Sequence, residues 1–165
     1  MMPHEQKSAG TGIIVVTLLV AGWLEVLPLP DMLEHLRPEW LALTLIYWVI
    51  ALPHRIGVFW GFATGLFMDV LVGALLGQYA LAFAVIAWIA ALVHKRMRVF
   101  PPIQQSAVVF MMVGAAVLTA YLIQDAIGRA HLAPWLMLLS AVTSALFWRP
   151  VYGLLRWVRR RFLVR

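Results

Sequence analysis

Cysteine is absent from this chain of 165 residues, and charged side chains are scarce. The missing thiols exclude disulfides, thiolate metal sites and cysteine nucleophiles. Only 12% of the residues are charged, about half the fraction of a soluble domain, whereas 64% are hydrophobic. A soluble fold of this size would bury only about 70% of the surface that its unfolded chain exposes. The composition therefore argues against a water-soluble enzyme, and equally against a disordered protein.

The usual catalytic and metal-binding motifs are also missing. The sequence contains no G-x-S-x-G, H-E-x-x-H or P-loop pattern, and its five histidines do not pair at the spacing of metal ligands. We therefore expect a chain that is not an enzyme and that holds no metal or cofactor. The 13 basic residues outnumber the 7 acidic ones. In so apolar a chain, this excess indicates basic cytoplasmic loops rather than a nucleic-acid partner.

Long apolar segments fill most of the chain. A helix needs about 20 apolar residues to cross about 30 Å of hydrocarbon. Six segments are candidates, and backbone groups within lipid must be satisfied inside each of them. The predicted fold class is therefore all-α, a single membrane domain over residues 1–165 with six transmembrane helices. The spans cover about residues 12–29, 40–54, 56–76, 79–93, 103–127 and 134–158.

The first segment has a second interpretation, a cleaved signal peptide, but the segment is long for a signal peptide and no clear cleavage site follows it.

Basic residues set the orientation of the six spans. Eleven lysines and arginines fall on the side of the N-terminus, and only Arg37 and Arg129 fall on the other. Both termini are therefore predicted to be cytoplasmic. Several tryptophans lie towards segment ends, as aromatic belts at a membrane surface would: Trp23, Trp40, Trp48, Trp135, Trp148 and Trp157.

Glycine recurs every four residues in the third segment. Gly57, Gly61 and Gly65 would form a narrow groove on one helix face, and such grooves let another helix approach closely within lipid. Two interpretations are open. The groove packs against a neighbouring helix of the same chain, or it is a seam for a helix of a partner chain.

Asp69 follows the same spacing and would lie inside the membrane, about 18 Å beyond Gly57 along the helix. A carboxylate at this depth is costly unless it is paired, hydrated or protonated. Asp69 would therefore be either a site for a ligand, ion or proton, or a group that caps neighbouring backbone. Glu25 and Asp125 are expected to be solvated near the same membrane surface, where they would line an outward-facing polar pocket with Asp69.

Two basic clusters are predicted on the cytoplasmic face. One contains Lys95, Arg96 and Arg98, and the other lies at the end of the sixth segment. Anionic lipid is the ordinary partner of such juxtamembrane clusters, and a cytoplasmic protein is the alternative. The second cluster presents three arginines on one helical face: Arg156, Arg159 and Arg160.

A specific set of motifs lies between residues 37 and 81. The set comprises Arg37-Pro38-x-Trp40, Tyr47-Trp48, Leu52-Pro53-x-Arg55, Gly61-Phe62, Gly65-Leu66, Asp69, Gly73, Leu76-Gly77 and Ala80-Leu81. Together these motifs resemble the bacterial rod shape-determining MreD family, with a Leu-Pro-His-Arg turn most like the proteobacterial branch. The length, the six segments and the basic tail fit that family over the whole chain.

The resemblance implies a component of the cell-elongation machinery in the bacterial inner membrane. Members of the family act with the bitopic protein MreC and the actin-like filament protein MreB. That complex regulates the RodA glycosyltransferase and its partner transpeptidase, which build lateral peptidoglycan. The resemblance also implies a fold similar to the substrate-binding subunits of energy-coupling-factor vitamin transporters.

Three functional hypotheses follow. The first is a scaffold that docks the transmembrane helix of MreC, and a second copy of itself as a homodimer, along small-residue surfaces. The second is a binding subunit for a small molecule or lipid intermediate, with a pocket near Asp69. The third, a membrane-embedded enzyme, is the weakest because Asp69 has no evident catalytic companion.

Overall fold

The computed structural model describes residues 3–30, 36–128 and 134–162, with the side chains of residues 3–9, 134 and 137 left aside. Within these ranges the chain is all-helical, as predicted, and contains no strand. The helices are α1 (Pro3–Val26), α2 (Trp40–Ala51), α3 (Val58–Val72), α4 (Gln78–Met97), α5 (Pro102–Ala126) and α6 (Pro134–Arg161).

Three of these helices are long and apolar enough to cross a membrane. They are α4, α5 and the part of α6 from Leu138 to Arg161. The apolar part of α1 (Gly10–Val26), α2 and α3 are shorter. At 1.5 Å per residue, the 12 residues of α2 reach only about 18 Å, against about 30 Å of hydrocarbon. A crossing by all six helices therefore stays a prediction.

Local chemistry explains where the helices end. Gly73 stops α3 in a left-handed conformation, φ 63°, and its N–H bonds to the carbonyl oxygen of Asp69. α4 runs past the predicted end near residue 93, because basic residues such as His94 and Lys95 are favourable at the negative end of a helix. α5 begins at Pro102, where a missing N–H costs nothing. α6 continues through Pro150.

The short helix α2 is the centre of the bundle. All of residues 41–51 are buried, and α2 contacts α1, α3, α4, α5 and α6. Its sequence is apolar on every side, which is typical of a helix surrounded by protein. Because neighbouring helices rather than lipid cover it, α2 does not need the length of a lipid-exposed span.

Two tryptophans belong to this core rather than to a membrane surface. Trp48 and Trp148 are fully buried, so the aromatic-belt prediction was wrong for both. Each indole N–H finds a partner on another helix, as buried indoles usually do: Trp48 donates to the Thr17 hydroxyl at 2.8 Å, and Trp148 to the Gln105 side chain at 3.3 Å. Large apolar side chains are also exposed on the outside of the bundle, for example Val16, Val70, Trp88, Met111 and Leu146.

Candidate functional site

Gly61 and Gly65 of α3 lie directly against the backbone of α4. A Cβ atom built on Gly61 would lie 2.5 Å from the carbonyl oxygen of Phe83 and 2.6 Å from the Cβ of Ala87. One built on Gly65 would overlap the carbonyl oxygen of Tyr79. A Cβ on Gly57 would meet nothing within 4 Å. Two of the three glycines in the predicted groove therefore face a helix of the same chain, and α4 occupies the surface that a partner helix would need.

Asp69, one turn further along α3, joins the same two helices. Its side chain is 1% exposed. The carboxylate accepts hydrogen bonds from the backbone N–H groups of Gly77 and Tyr79, both at 2.8 Å, and of Ala80 at 3.4 Å. These donors belong to the N-cap residue Gly77 and to the first turn of α4, where N–H groups have no partner within the helix. The Asp69 carboxylate thus lies at the positive end of α4.

Arg37 closes the end of α1 in a similar way. Its guanidinium donates to the carbonyl oxygens of Glu25 and Leu27, the latter at 2.7 Å. Carbonyl groups at a helix C-terminus lack partners, and an arginine side chain satisfies them well. Pro38, which follows, is buried. Arg37, which lies just before α2, therefore connects the start of that helix to the end of α1.

Two glutamates lie beside Arg37 at this end of the bundle. Glu25 is 4% exposed, and its carboxylate accepts the N–H of Leu41 at 3.3 Å. The expectation that Glu25 is solvated was therefore wrong: the start of α2 covers it. Glu39 bonds to α6, since its N–H donates to the Ser144 hydroxyl at 2.8 Å and its side chain bonds to Ser140.

Burial raises the pKa of Glu39 from 4.5 to about 7, although the Ser140 hydrogen bond and the positive charge of Arg37 oppose the shift. Sequence reasoning missed Glu39, Ser140 and Ser144 as parts of one polar cluster. No sequence spacing connects α2 with α6, so only the packing of the helices brings them together. Asp125, which was expected to line a polar pocket with Glu25 and Asp69, is exposed.

The first basic cluster divides into two parts. Arg98 donates to the carbonyl oxygens of Ile50 at 2.8 Å and Ala51 at 3.2 Å, so it closes the C-terminus of α2. Lys95 and Arg96 are exposed. Arg98 is exposed as well, so all three side chains lie on the surface, and Arg98 in addition bonds to the end of the core helix.

The remaining predicted residues lie at the same end of the bundle. Arg55 follows the half-buried Pro53 and donates to the Thr11 hydroxyl at 2.9 Å. On α6, Arg156 and Arg160 are exposed and Arg159 is half-buried.

Of the cations that set the predicted orientation, Arg129, Arg165 and the side chain of Lys7 lie outside the described residues. Among the residues that the structure does describe, no three His, Asp or Glu side chains form a group that would hold a metal ion.

Comparison with known proteins identifies the family. The model of the MreD family, described as rod shape-determining protein MreD, matches residues 6–158. The rod shape-determining protein MreD of Haemophilus influenzae is 32% identical over 148 residues, which are 90% of this chain and 91% of that protein. No solved structure matches the chain. The chain therefore belongs to the MreD family of rod shape-determining proteins.

Proposed function

We propose that this chain is a non-enzymatic scaffold of the cell-elongation complex in the bacterial inner membrane. Its family gives it a role in cell shape. The finer proposal is that the bundle binds the transmembrane helix of MreC and thereby couples MreC and MreB to RodA and its partner transpeptidase. All six helices cross the membrane in this proposal, and both termini are cytoplasmic.

One observation carries the scaffold proposal: three charged side chains of the bundle bond to its own backbone at helix ends. Asp69 bonds to the start of α4, Arg37 to the end of α1 and Arg98 to the end of α2. Each side chain satisfies backbone groups that a helix end leaves without partners. Polar groups used in this way stiffen the bundle, and they leave apolar outer faces for contacts with other helices.

The contact with MreC is then expected on an outward face, because α4 covers Gly61 and Gly65. Cysteine crosslinking tests this directly, since the chain has no native cysteine. Single cysteines would replace exposed side chains on different helices, and each variant would be paired with cysteines along the MreC transmembrane helix. The exposed positions are Val16 on α1, Val70 on α3, Met111 on α5 and Leu146 on α6.

We expect MreC to co-purify with the wild-type chain and to crosslink strongly from one or two of these positions. Ala87→Cys is the matched control, because Ala87 is buried between helices and should not crosslink. Failure of MreC to co-purify, or equal crosslinking from all four outward positions, would contradict a specific docking face.

A second candidate function, the binding of a small molecule or lipid intermediate near Asp69, is favoured by Gln78. This residue begins α4 beside the Asp69 carboxylate, and its side-chain nitrogen is buried without an acceptor among the described residues. A buried donor without a partner costs about 1–3 kcal/mol, which a ligand oxygen would recover. Replacing Gln78 with Leu separates the two functions: a scaffold keeps cell shape and MreC binding, whereas a binding subunit loses ligand.

A further inference from the structure

An open groove lies where α4 passes into α5. It has a volume of about 480 Å³ and is lined by Lys95, Arg96, Val99 and Phe100; we call it the α4–α5 groove. Lys95 and Arg96 are exposed in the last turn of α4. Val99 is 84% exposed, and Ile103, at the start of α5, is 83% exposed. Two cations and an apolar surface therefore lie side by side at one end of the bundle.

Hydrogen bonds fix the shape of this groove. The N–H groups of Val99 and Phe100 both donate to the carbonyl oxygen of Arg96 at 3.0 Å. The Gln105 side chain donates to the carbonyl oxygens of Met97 at 2.9 Å and Phe100 at 3.1 Å. A turn held in this way does not have to be ordered by a ligand, so binding there costs less conformational entropy.

The chemistry of the groove suits an amphiphile with a negative head. Among the described residues, none that lines the groove is acidic. Each basic residue near a membrane surface contributes about 1 kcal/mol of attraction to anionic lipid. Side chains as exposed as Val99 and Ile103 are unfavourable in water but favourable against an acyl chain. The second basic cluster, on α6, is not part of this groove.

We infer that the α4–α5 groove binds one anionic phospholipid of the cytoplasmic leaflet. The phosphate lies at Lys95 and Arg96, and an acyl chain lies along Val99 and Ile103. This inference depends on the groove being at the membrane surface and not on the binding of MreC, so failure of either proposal leaves the other intact.

Native mass spectrometry of the purified full-length chain tests the inference. Phosphatidylglycerol and phosphatidylcholine with the same acyl chains would be titrated into the detergent-solubilised protein. The double variant K95Q/R96Q removes two positive charges from the groove. The matched control, R149Q/R161Q, removes two exposed positive charges from α6. Melting temperatures of all variants show whether each one is folded.

We expect the wild type to bind phosphatidylglycerol in preference to phosphatidylcholine. Two contributions of about 1 kcal/mol predict a loss of at least about tenfold in affinity for K95Q/R96Q, with less than a twofold change for the control. Val99→Asn keeps both charges and alters only the apolar wall, so it provides a test if the double variant does not fold; its affinity should fall about threefold or more.

Three results would overturn the inference. The first is equal binding of both lipids by the wild type, which would favour a cytosolic protein as the partner of the groove. The second is an equal loss in the groove and control double variants, which would indicate diffuse attraction to the basic surface. The third is unchanged phosphatidylglycerol binding by a folded Val99→Asn variant, which would show that no acyl chain lies against Val99 in the groove.

Discussion

Asp69 on α3 accepts a hydrogen bond of 2.8 Å from the backbone N–H of Tyr79 on α4. The carbonyl oxygen of the same Tyr79 lies against Gly65, where no Cβ would fit. The polar contact and the close approach of the two helices therefore occur within the same few residues. Gly65 and Asp69, which the sequence analysis treated as separate features, therefore both hold α3 against α4 in one helical hairpin.

Replacing Asp69 with Asn should destabilise the bundle. Hydrogen bonds to a charged acceptor contribute about 1.5–3 kcal/mol each, and the Asn amide nitrogen would face N–H donors instead of accepting from them. We expect the free energy of unfolding in detergent to fall by about 2–4 kcal/mol. Thermal or denaturant unfolding followed by circular dichroism measures this change.

Asp125→Asn is the matched control for that experiment, because it removes the same charge from an exposed acid at the end of α5. It should leave the unfolding free energy within about 0.5 kcal/mol of the wild type. If the two variants proved equally stable, Asp69 would not hold the start of α4. Normal stability combined with loss of a bound ligand would favour the binding subunit instead.

The glycines of α3 should differ in their tolerance of alanine. At Gly65 a methyl group would collide with the backbone of α4, whereas at Gly57 it would meet open space. Overpacking of this kind costs about 1–3 kcal/mol, and more where backbone must move. Gly65→Ala should lower the melting temperature and the yield of folded protein, and Gly57→Ala should not. Similar melting temperatures for the two variants would show that α3 and α4 are not packed as described.

Stability should fall as the pH rises towards neutrality because of Glu39. Burial raises the pKa of Glu39 in the folded chain from 4.5 to about 7, so the folded state holds its proton more tightly than the unfolded state. The resulting stabilisation is complete below about pH 4.5 and is lost as the pH rises through 7. The pKa difference sets an upper limit of about 3 kcal/mol.

Glu39→Gln keeps a neutral side chain at every pH and should remove this part of the pH dependence. The comparison is made by measuring unfolding free energies of both proteins between pH 4.5 and 8. The wild type should lose stability relative to Glu39→Gln over that interval. Parallel curves for the two proteins would mean that Glu39 titrates normally.

Arg98→Gln should loosen the C-terminus of the core helix. It removes hydrogen bonds to the carbonyl oxygens of Ile50 and Ala51 and a positive charge at the negative end of α2. Since Arg98 is exposed, we expect a loss of only about 1 kcal/mol. Hydrogen exchange of the last turn of α2 should quicken in Arg98→Gln and stay unchanged in Arg149→Gln, a control on the exposed side of α6. Equal exchange in both variants would contradict this role.

Sequence reasoning identified the all-helical class, because apolar segments and the breaks between them are local features. Gly73 and Pro102 mark helix ends that can be identified from the residue type alone. Asp69 could also be identified from the sequence as a residue that needs a partner, since a carboxylate in an apolar segment is costly without one.

Features that depend on which helices are neighbours could not be predicted in this way. Trp48 and Trp148 look like surface anchors by position, yet both are buried around α2. The position of Glu25 near a segment end predicts a solvated side chain, but in the structure the start of α2 covers it. The link from Glu39 to Ser144 spans 105 positions, and no periodicity within one segment reports such a contact.

Membrane topology is the property on which the scaffold proposal depends most directly. Single cysteines at Ser8, Leu29 and Phe162 would be treated with a membrane-impermeant maleimide, first in intact cells, where it reaches only the periplasmic side of the inner membrane, and then after lysis. With both termini in the cytoplasm, Leu29→Cys is labelled in intact cells, whereas Ser8→Cys and Phe162→Cys are labelled only after lysis. Labelling of either terminal position from the periplasm would contradict the six-span scaffold.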